Sequence, residues 1–415
     1  MDTWPIWLPL VTLVLFFDVW ISYLNRIYRS NLEWVFLEVR MPREVLKGPR
    51  IMEQVFASLF SVSAAPGDWY ERYWIGETAL WYSFEIVSIG GEIHFYIRAP
   101  TKYKNIVEAI IYSFYPEVEI MAVGDYTENM PGTTRELYAM GYNLWGSEIK
   151  LTKADGYPIR TYREFETMDE YSMVDPIAAL MEVLSRLQPG EFVWLQFLIS
   201  PAYSPQWRER GQQIINELKK KTRTAVVIGG TEHSMVDRSP GQVQIMKAIE
   251  ENIAKSGFHT FIRVIYLGPV SNFNKDVANK GVMGALNQYS SQALNSFRHD
   301  YSKRTITGWY NWPHLFPKWR LEYRKQHVLR RFRERLMPWA SSFGLFSHGG
   351  TVSQGVFVLN TEELATLYHF PTDLVLTAPI MRQVEAKKVG PPMGLPIYGA
   401  ETTAEEKLPP GFTFK

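Results

Sequence analysis

The chain has 415 residues, no cysteine and a formal net charge of +1. This length suits roughly two or three domains, and an apolar fraction of 46% is ample for packed cores. The lack of cysteine excludes disulfides, thiolate zinc sites, iron–sulfur clusters and a cysteine nucleophile, and the near-zero charge supplies no overall field that would attract nucleic acid or a membrane.

An apolar segment at the N-terminus predicts a membrane anchor. Residues 4–24 carry one charged side chain, Asp18, and at ~1.5 Å per residue they can cross a ~30 Å hydrocarbon core. Tryptophan and tyrosine flank both ends, as in an interfacial belt. A cleaved signal peptide would need a basic start and a small-residue cleavage site, and neither is present. We therefore expect residues 1–30 to form an uncleaved, single-pass transmembrane anchor.

Basic residues follow this anchor and do not precede it. They are Arg26, Arg29, Arg40, Arg43 and Lys47. Because positively charged flanks stay in the cytoplasm, we expect a short external N-terminus. The bulk of the chain is then predicted to be cytoplasmic, attached to the inner (cytoplasmic) membrane of the cell.

Residues 31–125 alternate between strand and helix patterns. The predicted elements are a strand at 34–42, a helix at 48–63, strands at 80–88 and 92–100, a helix at 101–116 and a strand at 118–123. The two central strands are joined by Ile89-Gly90-Gly91, a hairpin signal. The order β-α-β-β-α-β predicts a ferredoxin-like unit.

Part of this pattern occurs again later in the chain. The matching positions are Trp81 and Trp194, Phe84 and Phe197, Ile86 and Ile199, His94 and His259, and Arg98 and Arg263. Residues 126–388 are therefore predicted to form a second α+β unit, with helical insertions at about 201–257 and 290–354. The predicted fold class is α+β, with one transmembrane helix followed by two ferredoxin-like units. We expect the last strand of the second unit at 355–360.

A short capped helix is predicted directly after that last strand. Asn360 or Thr361 is suited to cap it, and Glu362 and Glu363 fall in its first turn, where acidic side chains interact favourably with the helix dipole. A proline then ends the helix. The Pro/Gly-rich tail at 389–415 is expected to have little order of its own.

No catalytic constellation is found in the sequence. The nearest match to a phosphate-binding loop, at 350–355, is followed by Val356 and Phe357 where a lysine and a serine or threonine are required. The eight histidines are scattered without metal-ligand spacing. We therefore expect no enzymatic activity and no cofactor. An enzyme with an unrecognised site is the weakest alternative.

Residues 303–335 form a basic–aromatic segment, with ten Lys/Arg against two Glu among many aromatic residues. Basic side chains neutralise phosphates and aromatic rings stack on bases, which favours single-stranded nucleic acid. Two alternatives remain open, namely a solvated amphipathic helix and a helix lying on anionic lipid. The candidate contact residues are Trp309, Trp312, Trp319, Arg320, Arg324, Lys325, Arg330, Arg331 and Arg333.

Several segments together resemble a known family. They are LEVRMP, MEQVFASLFS, WYSFEIVSIGGEIHFYIRAP, IYSFYPEVEI, FVLNTEELATLYHFP and VEAKKVGPPMGLP. In this order they are similar to the membrane-anchored N-terminal region of type IV secretion and conjugative-transfer coupling ATPases, the TraG-like and FtsK/HerA-related proteins of candidate-phyla bacteria. The resemblance covers nearly all of residues 33–397. In that family a P-loop motor domain follows, and we expect this polypeptide to lack it.

The resemblance implies a non-catalytic, membrane-anchored subunit of a type IV secretion or conjugative DNA-transfer system. Such a subunit would dock a separately encoded motor ATPase in trans and form a homo-oligomer, hexameric by analogy with motors of this class. The candidate docking residues are Glu362, Glu363, Tyr368, Pro391 and Pro392. The alternative is a membrane-tethered protein that binds single-stranded nucleic acid through residues 303–335.

Overall fold

A computed structural model describes most of the chain. The described residues are 4–42, 47–63, 68–165, 175–221, 223–228, 231–236, 239–309, 314–338 and 355–372. The predictions made for Trp312, Pro391, Pro392 and the tail at 389–415 lie outside these ranges.

The apolar N-terminal segment is one helix, α1 (Trp4–Ser30). Its portion Leu8–Ser30 is long and apolar enough to cross a membrane, and none of that portion is buried inside the protein. Within the described residues it is the one helix with these properties. The structure thus contains the predicted candidate for a membrane span.

Eleven strands follow in the described residues. They are β1 (Trp34–Arg40), β2 (Tyr82–Ile89), β3 (Glu92–Pro100), β4 (Glu119–Ala122), β5 (Tyr142–Leu151), β6 (Phe192–Pro201), β7 (Arg223–Ile228), β8 (Thr231–Val236), β9 (Gly257–Pro269), β10 (Phe297–His299) and β11 (Phe357–Asn360). β7 and β8 form a separate ribbon, and the other nine form a single antiparallel sheet. Its order is β10-β5-β9-β6-β2-β3-β1-β4, with β11 paired to the start of β9.

Two ferredoxin-like units would each be expected to have a sheet of its own, but the structure joins nine strands in one sheet. β2 pairs with β6 along its whole length, with Phe84 opposite Phe197, so the two halves of the chain share one continuous hydrogen-bonded ladder. A free strand edge leaves backbone groups unpaired. Each half of the chain therefore supplies hydrogen-bond partners for the backbone groups at the edge strand of the other half.

Two strands of the sheet were missed in the sequence, and one is placed differently. β5 contains Gly146, Ser147 and Glu148, which interrupt an apolar strand pattern, and β10 has only three residues. The predicted strand at 355–360 is present as β11, but it lies beside β9 within the sheet and not at its outer edge. The outer position is taken by β10.

Ten α-helices accompany the sheet in the described part of the chain. After α1 they are α2 (Pro49–Val62), α3 (Lys104–Phe114), α4 (Thr134–Ala139), α5 (Ala178–Ser185), α6 (Gln206–Lys221), α7 (Pro240–Ala254), α8 (Met283–Asn287), α9 (Pro317–Glu334) and α10 (Thr361–Leu367). The helices and strands predicted for residues 31–125 are all present. α6, β7, β8 and α7 lie between β6 and β9.

Helices cover both faces of the sheet. Successive side chains of a strand point to opposite faces, and both sets are buried. The first face packs against α2, α3, α5, α8 and α10 in the largest core, which includes Phe84 and Phe197. The second face packs against α4 and α9 in a smaller core, which includes Trp194 and Phe332. Helix α9, which belongs to the basic–aromatic segment, therefore lies on the second face.

Candidate functional site

Helix α9 contacts the sheet through a narrow stripe. Val328, Leu329 and Phe332 are buried, and their spacing places them on one side of the helix. The helix comes close to β5 because Gly146 has no side chain, and a Cβ added there would lie 2.7 Å from Cγ1 of Val328. On the other side of the helix, Trp319, Tyr323 and Arg330 are exposed to solvent.

Three aromatic rings are aligned on the other side of α9. The rings of Trp319 and Tyr323 stack with their centroids 5.8 Å apart, and those of Tyr323 and His327 stack at 5.7 Å. Side chains four residues apart on a helix are neighbours, which explains the alignment. Trp319 is 68% exposed and Tyr323 is 59% exposed. We call these three residues the aromatic ladder.

An open cleft of about 250 Å³ adjoins the aromatic ladder. Its walls include Ser302, Lys303, Arg320, Arg324 and Glu148, together with the rings of Tyr323 and His327. The guanidinium of Arg324 donates to the carbonyl oxygens of Arg304 and Ile306, at 3.1 Å each, and so ties α9 to the preceding turn. The cleft combines two rings with three cationic side chains and one acidic side chain, Glu148.

The electrostatics of the cleft favour an anion. Partial burial, together with the positive charges of Arg331, Arg330 and Lys303, lowers the pKa of His327 to about 4. This imidazole is therefore neutral at pH 7, and it extends the ladder as an uncharged ring. The positive charges of Arg331, Arg330 and Lys303, which add to the effect of burial on His327, also attract phosphate groups.

The predicted basic residues divide into two groups. Arg320 and Arg324 line the cleft together with Tyr323. The others, apart from the exposed Arg330, contact the fold. Nζ of Lys325 donates to Oδ1 of Asn143 at 2.6 Å, Arg331 lies 3.8 Å from the Glu148 carboxylate, and Arg333 donates to the carbonyl of Met130 at 3.3 Å. Trp309 lies in the turn before α9, 70% exposed, and is not part of the ladder.

Some residues of the cleft were not among the sequence candidates. Tyr323 and His327 lie four and eight positions after Trp319, so the helical spacing could have identified them. Glu148 could not be identified, because it reaches the cleft from β5, a strand that the sequence pattern did not reveal.

The three described docking candidates are buried, which corrects their predicted surface role. The Glu362 carboxylate forms ion pairs with Lys255 and, at 3.1 Å, with Arg163. Tyr368 contacts the ring of Phe84 edge-on in the main core. These side chains, like Glu363, are 7% exposed or less. They are enclosed because α10 packs between the sheet and α2.

The predicted helix cap is confirmed at Asn360. Its side chain accepts from the N–H of Glu363 at 2.8 Å, and the Glu363 carboxylate accepts from the N–H of Asn360 at 2.9 Å. This capping box satisfies two backbone donors at the start of α10. The Glu363 carboxylate also accepts from the N–H of Ile159 at 2.8 Å, so it links α10 to a distant loop.

Comparison with known proteins gives a family but no assigned activity. No curated protein matches the chain. A family model described as "Domain of unknown function (DUF8128)" matches residues 25–383. The match extends from the end of α1 to beyond α10 and includes both the sheet and the aromatic ladder. The chain therefore belongs to the DUF8128 family.

Proposed function

We propose that this protein is a membrane-anchored protein that binds single-stranded nucleic acid through the aromatic ladder and its cleft. The observation that carries the proposal is the alignment of three stacked rings, open to solvent at Trp319, beside Lys303, Arg320 and Arg324. Proteins that hold single strands without sequence preference combine these two features, a stacking surface for bases and cations that follow the phosphates.

The geometry of α9 argues against the two alternatives for this segment. A helix that lies on anionic lipid must direct its apolar stripe at the membrane. The stripe of α9, formed by Val328, Leu329 and Phe332, faces the sheet instead. A simply solvated helix needs no aligned rings, whereas Trp319 and Tyr323 expose large apolar surfaces next to a cationic cleft.

A fluorescence-anisotropy titration of the full chain in detergent with a single-stranded oligonucleotide tests the proposal. We expect Tyr323→Ala to weaken binding by about tenfold or more, since stacking contributes about 1–3 kcal/mol per base. We expect Arg320→Gln to reduce the dependence of log affinity on log salt by about 0.7. Tyr112→Ala, an exposed tyrosine on α3 at the opposite face of the sheet, is the matched control. Binding that Tyr323→Ala leaves unchanged would exclude the ladder as the site.

A second candidate function is the one implied by the resemblance. In it the protein is a non-catalytic, homo-oligomeric subunit of a type IV secretion or conjugative-transfer system, and it recruits a motor ATPase in trans. One structural observation favours it: β11 and α10 are packed into the core, so the fold holds the chain in place as far as Phe370. The surface that would contact the ATPase is then expected outside Glu362, Glu363 and Tyr368.

Co-purification with a Walker-A-bearing ATPase encoded in the adjacent reading frame tests this second function. Recruitment should persist in the Tyr323→Ala variant, since stacking on bases and docking of a protein are separate properties. If that variant lost both the oligonucleotide and the ATPase, the two functions would have to share one surface.

We also propose that the sheet comprises two ferredoxin-like units, residues 31–125 and 126–388. The order β4-β1-β3-β2 on one side of the β2–β6 joint corresponds to β10-β5-β9-β6 on the other. The register supports the match. In the first unit, His94 pairs with the residue six positions after Trp81, which is Val87. In the second unit, His259 pairs with the residue six positions after Trp194, which is Ser200. Duplication of one unit explains this agreement, because register depends on every intervening residue.

For its location we propose a single pass through the inner membrane with the bulk of the chain in the cytoplasm. The apolar α1 and the basic residues that follow it support this arrangement. The cysteine-free chain allows a direct test by thiol labelling in intact cells. We expect a cysteine at Thr3 to react with an impermeant reagent and one at Ser30 to be protected. Labelling at Ser30 would reverse the orientation.

A further inference from the structure

A short aromatic segment lies beside α1, in a part of the chain to which no function has been assigned. Residues 68–75 include a π-helical turn, Glu71–Ile75. Five large hydrophobic side chains of this segment are exposed: Trp69 by 67%, Tyr70 by 48%, Tyr73 by 39%, Trp74 by 62% and Ile75 by 46%. We call residues 68–75 the aromatic collar. So many exposed hydrophobic side chains in one short segment are unusual for a surface that faces only water.

The aromatic collar is held against α1 by specific contacts. The ring of Tyr73 stacks on that of Phe17 with centroids 6.1 Å apart. Just after the collar, the Glu77 carboxylate accepts from the hydroxyl of Tyr28 at 2.8 Å. These two contacts are separated along α1 by about 16 Å, at ~1.5 Å per residue. The residues from Tyr73 at the end of the collar to Glu77 therefore follow the side of α1 over its C-terminal half.

A glycine allows this close approach. Gly76 ends the π-helical turn with a φ of +76°, and a Cβ added there would lie 2.6 Å from the backbone carbon of Leu24. A side chain at this position would meet both backbone strain and a collision with α1. The contact between the collar and α1 therefore depends on glycine at position 76.

We propose that the aromatic collar is a second membrane-contacting element, which lies in the interfacial layer of the bilayer that α1 crosses. Tryptophan and tyrosine rings prefer this layer, where the ring is shielded from water while its N–H or O–H stays hydrated. Phe17, which the collar contacts, belongs to the apolar portion of α1, so a bilayer that α1 crosses would reach the collar as well. The inference rests on the proposed membrane anchor.

The collar gives α1 a fixed depth and rotation in the membrane. A single helix can tilt and rotate at small cost, and interfacial aromatic side chains limit both movements. β1 begins at Trp34, only a few residues after α1 ends at Ser30. Anchoring α1 at two places therefore also limits how far the sheet can turn relative to the membrane surface.

Spin labels on single cysteines in the full chain, reconstituted in phosphatidylglycerol-containing vesicles, test the inference. Collisions with oxygen report lipid, and collisions with a water-soluble nickel chelate report water. We expect labels at Trp74 and at Leu13 of α1 to collide more often with oxygen. A label at Val270, an exposed residue in the turn after β9, should collide more often with the chelate.

The outcomes separate the collar from the anchor. If the Leu13 label were exposed to lipid and the Trp74 label to water, the proposed membrane contact of the collar would be wrong, while the proposed anchor would stand. If both labels were exposed to water, both the proposed anchor and the proposed membrane contact of the collar would be wrong. Dipolar broadening at Trp74 that disappears on dilution with unlabelled protein would identify the face as a contact between two copies, and this too would overturn the inference.

A pair of glycine variants tests whether α1 holds the collar in place. Gly141 has a φ of +77°, almost the same as that of Gly76, but a Cβ there would meet nothing within 4 Å. Gly141→Ala therefore introduces similar backbone strain without a collision. We expect Gly76→Ala to lower the oxygen collisions of the Trp74 label while the Leu13 label is unchanged, and Gly141→Ala to alter neither. An unaffected Trp74 label in Gly76→Ala would contradict the positioning role of α1.

Discussion

At the scale of single residues, the second face of the sheet contains a network of buried charges. Arg335, at the C-terminal end of α9, binds the carboxylates of Glu85 at 2.7 Å and Asp125 at 2.5 Å. Gln196 donates to Glu85 at 2.9 Å and accepts from Arg263 at 3.0 Å. Buried charges are tolerated when each has a hydrogen-bonded partner. The network therefore holds the end of α9 to the middle of the sheet.

Replacing Arg335 tests the contribution of this network to stability. We expect Arg335→Met to lower the free energy of unfolding by about 3–5 kcal/mol, because Glu85 would remain buried without its main partner. Adding Glu85→Gln should recover part of the loss. Arg330→Met on the same helix is the control, since its exposed ion pair with Glu334 contributes little. Urea unfolding in detergent measures all three, and equal stability of the two arginine variants would refute the role assigned to Arg335.

The Glu363 carboxyl predicts a dependence of stability on pH. Burial raises its pKa to about 8, although the N–H donors of Asn360 and Ile159 act in the opposite direction. Between about pH 4.5 and pH 8 the folded state keeps a proton that the unfolded state releases. The free energy of unfolding should therefore fall as pH rises through this window, by at most about 1.4 kcal/mol per pH unit.

The Glu363→Gln variant isolates this effect, because glutamine is of similar size and does not titrate. Its unfolding free energy, measured in urea at several pH values, should decline less with rising pH than that of the wild type. The same pH dependence in both proteins would mean that Glu363 is not the titrating group.

At the scale of elements, the placement of α9 depends on the absence of a side chain on β5. A Cβ at Gly146 would lie 2.7 Å from Val328 and 3.3 Å from the carbonyl oxygen of Val264. We expect Gly146→Ala to destabilise the fold by about 1–3 kcal/mol, as for other overpacked cores. Since α9 carries the ladder, oligonucleotide binding should weaken as well. Gly124→Ala, where a Cβ would meet nothing within 4 Å, is the control in both measurements. Wild-type stability in Gly146→Ala would show that α9 is free to move away from β5.

At the scale of the whole molecule, the continuous sheet predicts cooperative unfolding. Trp81 and Trp194 are each 1% exposed, and they lie to either side of the Phe84–Phe197 pair at the joint. Changing either tryptophan to alanine should cost about 3–5 kcal/mol and shift one shared transition. Trp319→Ala, on the exposed ladder, should leave the transition where it is.

Far-ultraviolet circular dichroism and tryptophan fluorescence, recorded on the same samples, measure this cooperativity. Coincident curves are expected if the two halves unfold together. Two separated transitions, each moved by only one of the two buried tryptophans, would mean that the halves unfold as independent domains.

The features that the sequence determined by itself are local ones. The apolar α1, the hairpin at Ile89-Gly90-Gly91 and the cap at Asn360 were all predicted correctly, because each depends on neighbouring residues and backbone preferences. The basic–aromatic character of α9 was also visible. Of its predicted contact residues, Trp319, Arg320 and Arg324 lie at the ladder and cleft.

The tertiary structure alone decided how these elements meet. Local periodicity identifies the apolar side of a strand, but it does not identify which strand pairs with its edge, so the β2–β6 joint and the inner position of β11 were not predicted. Burial likewise depends on distant residues. Glu362 is enclosed because Lys255 and Arg163 reach it from other parts of the chain, and Lys325 is directed away from the cleft by Asn143 on β5. Such contacts join residues far apart in the sequence, and only the folded chain brings them together.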